Sequence, residues 1–271
     1  VILKYSEPGD TVLDYFAGGG TTAVEAKLLG RRCIAIDINP DAVRLTQHNL
    51  DFSPPPLHPA SDEAPVFEPE VYQGDARDLP RISDGTIDLI CAHPPYAGII
   101  KYSTGVPGDL SDLTLDEFLV DMAKVAQESL RVLKPGGKCA ILIGDGRKAK
   151  HVVPMGFQTI QVFLDAGFIL KELVIKRQHN CKTTGFWFSK SIQYNFLLLA
   201  HEYLPIFEKP TADRVSEQMA FWDCRMPKRA TVEHIPTTWD TEKTTLETTT
   251  VWIFPPDELD DDIRRNLLAR Y

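Results

Sequence analysis

Cysteine is sparse and scattered in this chain. Cys33, Cys91, Cys139, Cys181 and Cys224 stand singly, with no CxxC pair and no Cys/His cluster at metal-ligand spacing, so no metal site is expected. An odd, dispersed set of thiols suits a reducing compartment, and a cytoplasmic location is expected. Long apolar runs are also lacking. Even Asn195–Ala200 is only strand-length, far short of the ~20 residues that cross a bilayer, so no membrane partner is expected. No signal peptide is recognisable, although the chain begins at Val1 and the absence of a targeting segment carries little weight. Basic excess is missing too. The 29 Lys and Arg stand against 38 Asp and Glu, a net charge of −9. This excludes a general nucleic-acid coat, since phosphate binding rests on clustered cations, but leaves room for a local basic groove.

What is present is ample material for a core: 271 residues with 43% hydrophobic side chains. From Thr11 to Ala200, short β-branched runs alternate with amphipathic helices. That alternation predicts an α/β fold with a doubly wound, mostly parallel sheet. Strands are expected at Thr11–Tyr15, Arg32–Ile36, a short stretch ending near Gln73, Ile87–Ala92 and Lys138–Ile143. Asn39 before Pro40 reads as a helix start, and Thr114 with Glu117 as a capping box for a helix to about Leu133. Pro135-Gly136-Gly137 should break that helix from the fifth strand. After a helix near Phe157–Ala166, Phe168–Lys176 and Ile192–Ala200 read as a terminal antiparallel strand pair. Beyond Pro205 the composition turns to Thr, Pro and acidic residues. Residues 1–204 are therefore expected to form the main domain and 205–271 an extension, ending in a helix at Asp257–Tyr271.

Between the first strand and its helix lies Asp14-Tyr15-Phe16-Ala17-Gly18-Gly19-Gly20-Thr21-Thr22. Glycines here let the backbone approach a ligand closely, because no Cβ intervenes. Alone the loop is ambiguous, since Gly18, Gly20 and Ala23 also satisfy a dinucleotide pattern with Asp37 at the ribose distance. The carboxylates shift the balance. Asp14 at the first strand's tip would repel a pyrophosphate and welcome a cation. Asp37, followed by Ile38, can accept ribose hydroxyls. Asp75, within Gly74-Asp75-Ala76 after the third strand, can receive an adenine amino group. Three carboxylates on successive strand ends suit S-adenosylmethionine, with its ammonium, sulfonium, diol and amine.

After the fourth strand comes His93-Pro94-Pro95-Tyr96. With the loop Phe16–Thr22, the lead-in Tyr5–Asp10, Pro135-Gly136-Gly137 and His201-Glu202-Tyr203, it resembles the DNA amino-methyltransferases, the N6-adenine and N4-cytosine methylases. Their signature is Asp, Asn or Ser followed by Pro-Pro-Tyr. The resemblance covers about residues 1–210 and implies a Rossmann-like methyltransferase fold, S-adenosylmethionine as cofactor and an exocyclic amine of a DNA base as substrate. It implies a cofactor site of Asp14, Phe16, Ala17, Gly18, Gly20, Thr21, Thr22, Asp37, Ile38, Asp75 and Ala76. It also implies that His93, Pro94, Pro95 and Tyr96 are catalytic. The side chain at position 93 and the Pro94 carbonyl would accept the amine's protons, and Tyr96 would stack on a flipped-out base.

His93 departs from the signature. A neutral imidazole offers one acceptor nitrogen and a protonated one offers none. Activity should therefore fall as pH drops through about 6.5. Nucleic acid contact is expected along the connection Lys176–Lys190, where Lys176, Arg177, Lys182 and Lys190 alternate with Phe186, Trp187 and Phe188. Cations hold a backbone while aromatics stack on unpaired bases. An aromatic trio that simply packs on the sheet is the bland alternative. Two other functions stand beside DNA methylation: methylation of a guanine amino group in RNA, where the same motif order occurs, and a catalytically silent subunit. The extension after residue 204 could carry a contact with a partner subunit or a second copy.

Overall fold

The computed structural model describes residues 1–53, 66–98, 105–148, 151–177 and 184–211. All of these lie within the unit Val1–Phe221. The helix expected at Asp257–Tyr271 falls outside the described residues, as do Lys182 and most of the extension.

After a single turn, α1 (Ile2–Tyr5), the chain alternates β1 (Thr11–Asp14), α2 (Thr21–Leu28), β2 (Arg32–Asp37), α3 (Pro40–Asn49), β3 (Glu70–Gln73) and β4 (Ile87–Ala92). Then follow α4 (Leu115–Val132), β5 (Leu133–Ile141), a short hairpin of β6 (Gly146–Lys148) and β7 (His151–Val153), α5 (Met155–Asp165), β8 (Ile169–Arg177), α6 (Thr184–Tyr194) and β9 (His201–Glu208). The seven-stranded sheet runs β3-β2-β1-β4-β5-β9-β8. The first five of these strands are parallel, and β9 is antiparallel to both β5 and β8. This is the doubly wound α/β sheet that the alternation predicts.

The central strands are apolar on both sides because helices cover both faces. Val12, Leu13, Leu89 and Ile90 are wholly buried. On one face α2 packs through Ala23 and Ala26. On the other, α4 presents Phe118, Met122, Val125, Ala126 and Val132, the three-to-four-residue spacing of a single helical stripe. Both halves of the Thr114–Glu117 capping box form, with Asp116 and Glu117 in the first turn and Arg131 in the last. That placement suits the helix dipole at each end. Asn39 caps α3 by accepting from the Asp41 amide at 2.9 Å.

Two expectations about local structure need correction. Pro135-Gly136-Gly137 does not separate helix from strand, because β5 follows α4 directly and absorbs the three residues as a bulge. Ile87 pairs Leu133, whereas Leu89 pairs Lys138. The bulge is built on Gly136 at φ +78°, and a Cβ on Gly137 would lie 2.9 Å from the Lys134 carbonyl. The second correction concerns the terminal strand pair. Ile192–Ala200 is not its second member. The run from Thr184 to Tyr194 is helical, Asn195 follows at φ +52°, and Leu197 is 88% exposed. The partner of β8 is β9, whose Tyr203, Ile206 and Phe207 are buried.

The change of composition at Pro205 sets the expected domain edge, yet Pro205 stands within β9, where a proline removes a ladder donor. The structure tolerates it where the β5–β9 ladder is interrupted, between the Ala140–Ile206 pair and the isolated Ile143–Tyr203 bridge. The expected boundary at 204/205 thus falls inside a core strand. Phe207 stacks on Phe163 at 4.9 Å and packs against Phe168 at 5.9 Å. Replacing Phe207 by Ala should destabilise the fold by about 3–5 kcal/mol, read as a lowered denaturation midpoint. A change below ~1 kcal/mol would place Phe207 outside the core.

Candidate active site

Ligands in open α/β sheets sit beyond the carboxyl ends of the strands, where the strand order reverses. Here the reversal lies between β1 and β4, which pair Val12 with Leu89 and Leu13 with Ile90. At that place a cavity of about 880 Å³ opens, at the upper end of the roughly 300–1,000 Å³ common for small-molecule sites. It is lined from the end of every central strand: Asp14 after β1, Asp37 and Ile38 after β2, Asp75 and Ala76 after β3, His93 and Pro95 after β4, and Leu142 after β5.

The loop after β1 contributes Phe16, Ala17, Gly18, Gly19, Thr21 and Thr22 to the lining. Gly18 sits at φ +54° and donates its amide to Asp37 Oδ2 at 2.9 Å, tying the loop to the end of β2. Gly20 is not among the lining residues. It begins α2 at φ +79°, and a Cβ there would lie 2.7 Å from Thr46 Cγ2. Its role is close packing of the loop on α3.

Three of the cavity's carboxylates carry distinct loads. Asp14 is 5% exposed and accepts from the Phe16 amide at 3.0 Å. Burial pushes its carboxyl up to about 6, against the hydrogen bonds from Thr22 and Phe16. Burial also raises Asp37, whose Oδ1 accepts from the Asn39 amide at 2.9 Å. Asp75 is clamped by Arg77, with Nη2 to Oδ2 at 2.6 Å. The same guanidinium pairs with Asp121 and donates to the Gly108 carbonyl at 3.0 Å.

Two further carboxylates, Glu25 on α2 and Asp109, line the cavity and escaped sequence reading. Asp109 is 7% exposed and lines the cavity beside Leu110, while its side chain accepts from the Ser111 amide at 2.8 Å. It lies close enough to Asp37 to help raise that carboxyl. Asp109 precedes a lone 3₁₀ turn, Leu110–Asp112, and no strand-end pattern points to it.

Four aspartates and Glu25 around glycine backbone make a cavity for a ligand with positive charge and several hydroxyl or amine donors. S-adenosylmethionine fits that donor set: its ammonium and sulfonium are cations, and its ribose and adenine carry donors.

Beside this cavity stands a second group. Pro94 is buried, and the His93 and Tyr96 rings meet edge to face at 5.8 Å. Tyr96 donates its hydroxyl to Glu202 Oε1 at 2.7 Å, and Lys176 Nζ donates to Glu202 Oε2 at 2.8 Å. The last contact follows from register, because Lys176 on β8 and Glu202 on β9 are direct cross-strand partners. Burial acts to raise the Glu202 carboxyl, but Lys176 and Tyr96 outweigh it and hold the group below its usual range. His93 Nε2 lies 3.9 Å from Glu202 Oε1. Partial burial lowers the His93 imidazole; Glu202 opposes that and Lys176 adds to it.

Of the residues expected to touch nucleic acid, Lys176 is thus paired with Glu202 and lines the cavity. Arg177 ends β8 on the surface. Trp187 and Lys190 lie on α6, where Phe186, Trp187 and Phe188 are 48–59% exposed and Lys190 Nζ lies 5.7 Å from the Phe186 ring centre. Among the described residues no group of three or more His, Cys, Asp or Glu is arranged to hold a metal, and no helix is long and apolar enough to cross a membrane.

Residues 1–48, which hold α1, the glycine loop and Asp37, match the DNA methylase family. The chain is 28% identical over 158 residues to the type II methyltransferase M.MthZI of Methanothermobacter thermautotrophicus, covering 51% of this chain and 44% of that protein. It is 36% identical over 119 residues to a tRNA (guanine(10)-N2)-dimethyltransferase of the same organism, covering 44% of this chain and 30% of that one. The matched parts span less than half the length of either relative. A solved S-adenosylmethionine-dependent methyltransferase from Methanosarcina mazei superposes with a TM-score of 0.52 at 17% identity, covering 77% of this chain and 96% of that one. The fold is the one that solved methyltransferase has, and S-adenosylmethionine is the cofactor that the fold and the DNA methylase match support.

The Asp14 carboxyl sets a pH test. Raised in the fold, it contributes stability below the ordinary carboxylate range that is lost as pH rises through about 6. A cation placed against it selects the ionised form. Affinity for S-adenosylmethionine should therefore climb up to about pH 6 and then level off, with proton release near that pH. Calorimetry in buffers of different ionisation enthalpy reads both. An affinity flat from pH 5 to 7 would place the cation elsewhere.

Proposed function

We propose that this chain, whose residues 1–48 match the DNA methylase family, methylates an exocyclic amino group of adenine or cytosine in DNA. The observation that carries the reading is a shared cavity. His93 and Pro95 line the same space as Asp14, Asp37 and Asp75, so a base amine held at the Pro-Pro-Tyr turn lies beside the cofactor.

An aromatic amine is a poor nucleophile because its lone pair is delocalised into the ring. Acceptors that hold its protons favour a pyramidal nitrogen and aim the lone pair. In this reading neutral His93 and the Pro94 carbonyl are those acceptors, and Tyr96 stacks on the base. Bound S-adenosylmethionine supplies an electrophilic methyl group on a sulfonium. Asp14, Asp37, Asp75 and Asp109 hold that donor, while buried Pro94 fixes the turn. The exposed aromatics of α6, with Lys190 and Arg177, form the surface for the displaced strand or its phosphates. Lys182 belongs to the same proposed surface by sequence. A partner contact through residues 205–271 rests on sequence as well, because most of that segment lies outside the described residues.

The 36% identity to a tRNA guanine methyltransferase favours RNA as the second reading. Labelled-methyl transfer to plasmid DNA, total tRNA and rRNA, each digested to nucleosides, separates the two. Methyladenine or methylcytosine from DNA is expected, and labelled guanine from RNA would replace DNA with RNA. His93→Ala and Tyr96→Ala should each lower the rate on the order of a hundredfold. Because burial lowers the His93 imidazole, neutral His93 predominates at pH 7 and the rate should fall only below about 6.5. A rate unchanged between pH 7 and 5 would remove His93 as an acceptor.

A further inference from the structure

Transfer of a methyl group to an amine leaves a positive charge on nitrogen, and the product becomes neutral only when an N–H proton departs. A turn carrying Asn or Ser offers no strong base for that proton; a turn carrying His does. From the geometry around Glu202 we infer that His93 and Glu202 act as a pair. His93 accepts the proton shed by the methylated amine, and Glu202 holds the imidazolium that results. The inference rests on the amino-methylation reading above.

The balance is simple. The amine lone pair forms the N–C bond, and the C–S bond of the donor breaks with its electron pair left on sulfur. One N–H bond then breaks, its pair returns to nitrogen, and the proton passes to the free nitrogen of His93.

The geometry gives each residue a reason. Glu202 is 6% exposed on β9, and its two oxygens are already held by Tyr96 at 2.7 Å and Lys176 at 2.8 Å. This fixes the carboxylate in place. Gly144 makes room for the arrangement, since a Cβ there would lie 2.8 Å from the Tyr96 hydroxyl and 3.3 Å from Glu202 Cγ. Nε2 of His93 faces Oε1 at 3.9 Å, an ion-pair distance rather than a hydrogen bond. A negative charge on that side favours the tautomer with its proton on Nε2 and leaves Nδ1 as the basic nitrogen.

Among the described residues, the charged and titratable groups facing His93 are Glu202 from β9, Lys176 from β8 and Tyr96 from its own turn. Lys176 matters to the resting state. By neutralising part of the Glu202 charge it keeps His93 unprotonated and ready to accept. The His93 side chain is 45% exposed, so the proton can leave to water after each turnover.

The test uses the full chain with ¹⁵N-labelled histidine, His93 being assigned by the loss of its signals in His93→Asn. NMR titration reads its tautomer and midpoint without any methyl transfer, and the pH–rate profile is measured in parallel. The parent should show the Nε2–H tautomer. Glu202→Gln, which keeps an acceptor for Tyr96, should move the His93 midpoint to lower pH and lower the plateau rate on the order of tenfold. Lys176→Met should move the midpoint to higher pH. In both variants the acid limb of the rate profile should shift with the midpoint.

A His93 midpoint indifferent to both substitutions overturns the pair. A midpoint that moves while the limb stays fixed overturns His93 as the proton acceptor. If the parent methylates no nucleic acid, the amino-methylation reading falls and takes proton acceptance with it, while the titration alone still decides whether Glu202 governs His93.

Discussion

The arrangement depends on one adjacency: β1 beside β4 in a parallel sheet, at the point where the strand order reverses. The pairing of Leu13 with Ile90 brings Asp14 and His93 out at the same rim of the sheet. Because β2 and β3 continue outward from β1, Asp37 and Asp75 arrive on the same rim without any further instruction. Parallel strands all end on one side, and any residue type placed just past a strand end is delivered to the crevice. The apolar interior of β1 and β4 is what fixes this register. A slip by one residue would turn Leu13 and Ile90 from one helix-covered face to the other.

Charge then decides what the crevice can hold. Burial, with a smaller contribution from neighbouring carboxylates, raises Asp14 and Asp37, an electrostatic cost that a cation would relieve. The other side of the same space is differently poised. Glu202 is buried but balanced by Lys176 and Tyr96, and its charge is spent on holding neighbours rather than on repelling them. One half of the site thus invites a positive ligand, and the other presents a neutral imidazole on a proline-stiffened turn.

The parts legible in sequence are those where one short segment carries the whole signal. Asp14, Asp37, Asp75 and His93 each follow a β-branched run, and the strand ends could be read directly. The Thr114–Glu117 box and the Asn39 cap were equally local. Illegible parts depend on distant pairing. Glu202 matters only because β9 lies between β5 and β8, placing it opposite Lys176; the change of composition at Pro205 drew the expected domain edge through that strand. Asp109 belongs to a lone 3₁₀ turn whose position over Asp37 no periodicity reveals. The run Thr184–Tyr194 mixes aromatic and β-branched residues that favour strands, yet it is helical with Phe186, Trp187, Phe188 and Ile192 exposed.

The most direct test of the account is a crystal structure of the full chain with S-adenosylhomocysteine, the demethylated form of the donor. The account predicts electron density in the β1/β4 crevice, with the ammonium against Asp14, the ribose at Asp37 and the sulfur on the side of His93 and Pro95. Density at another surface, or a ligand in the crevice with its sulfur turned away from His93, would contradict it.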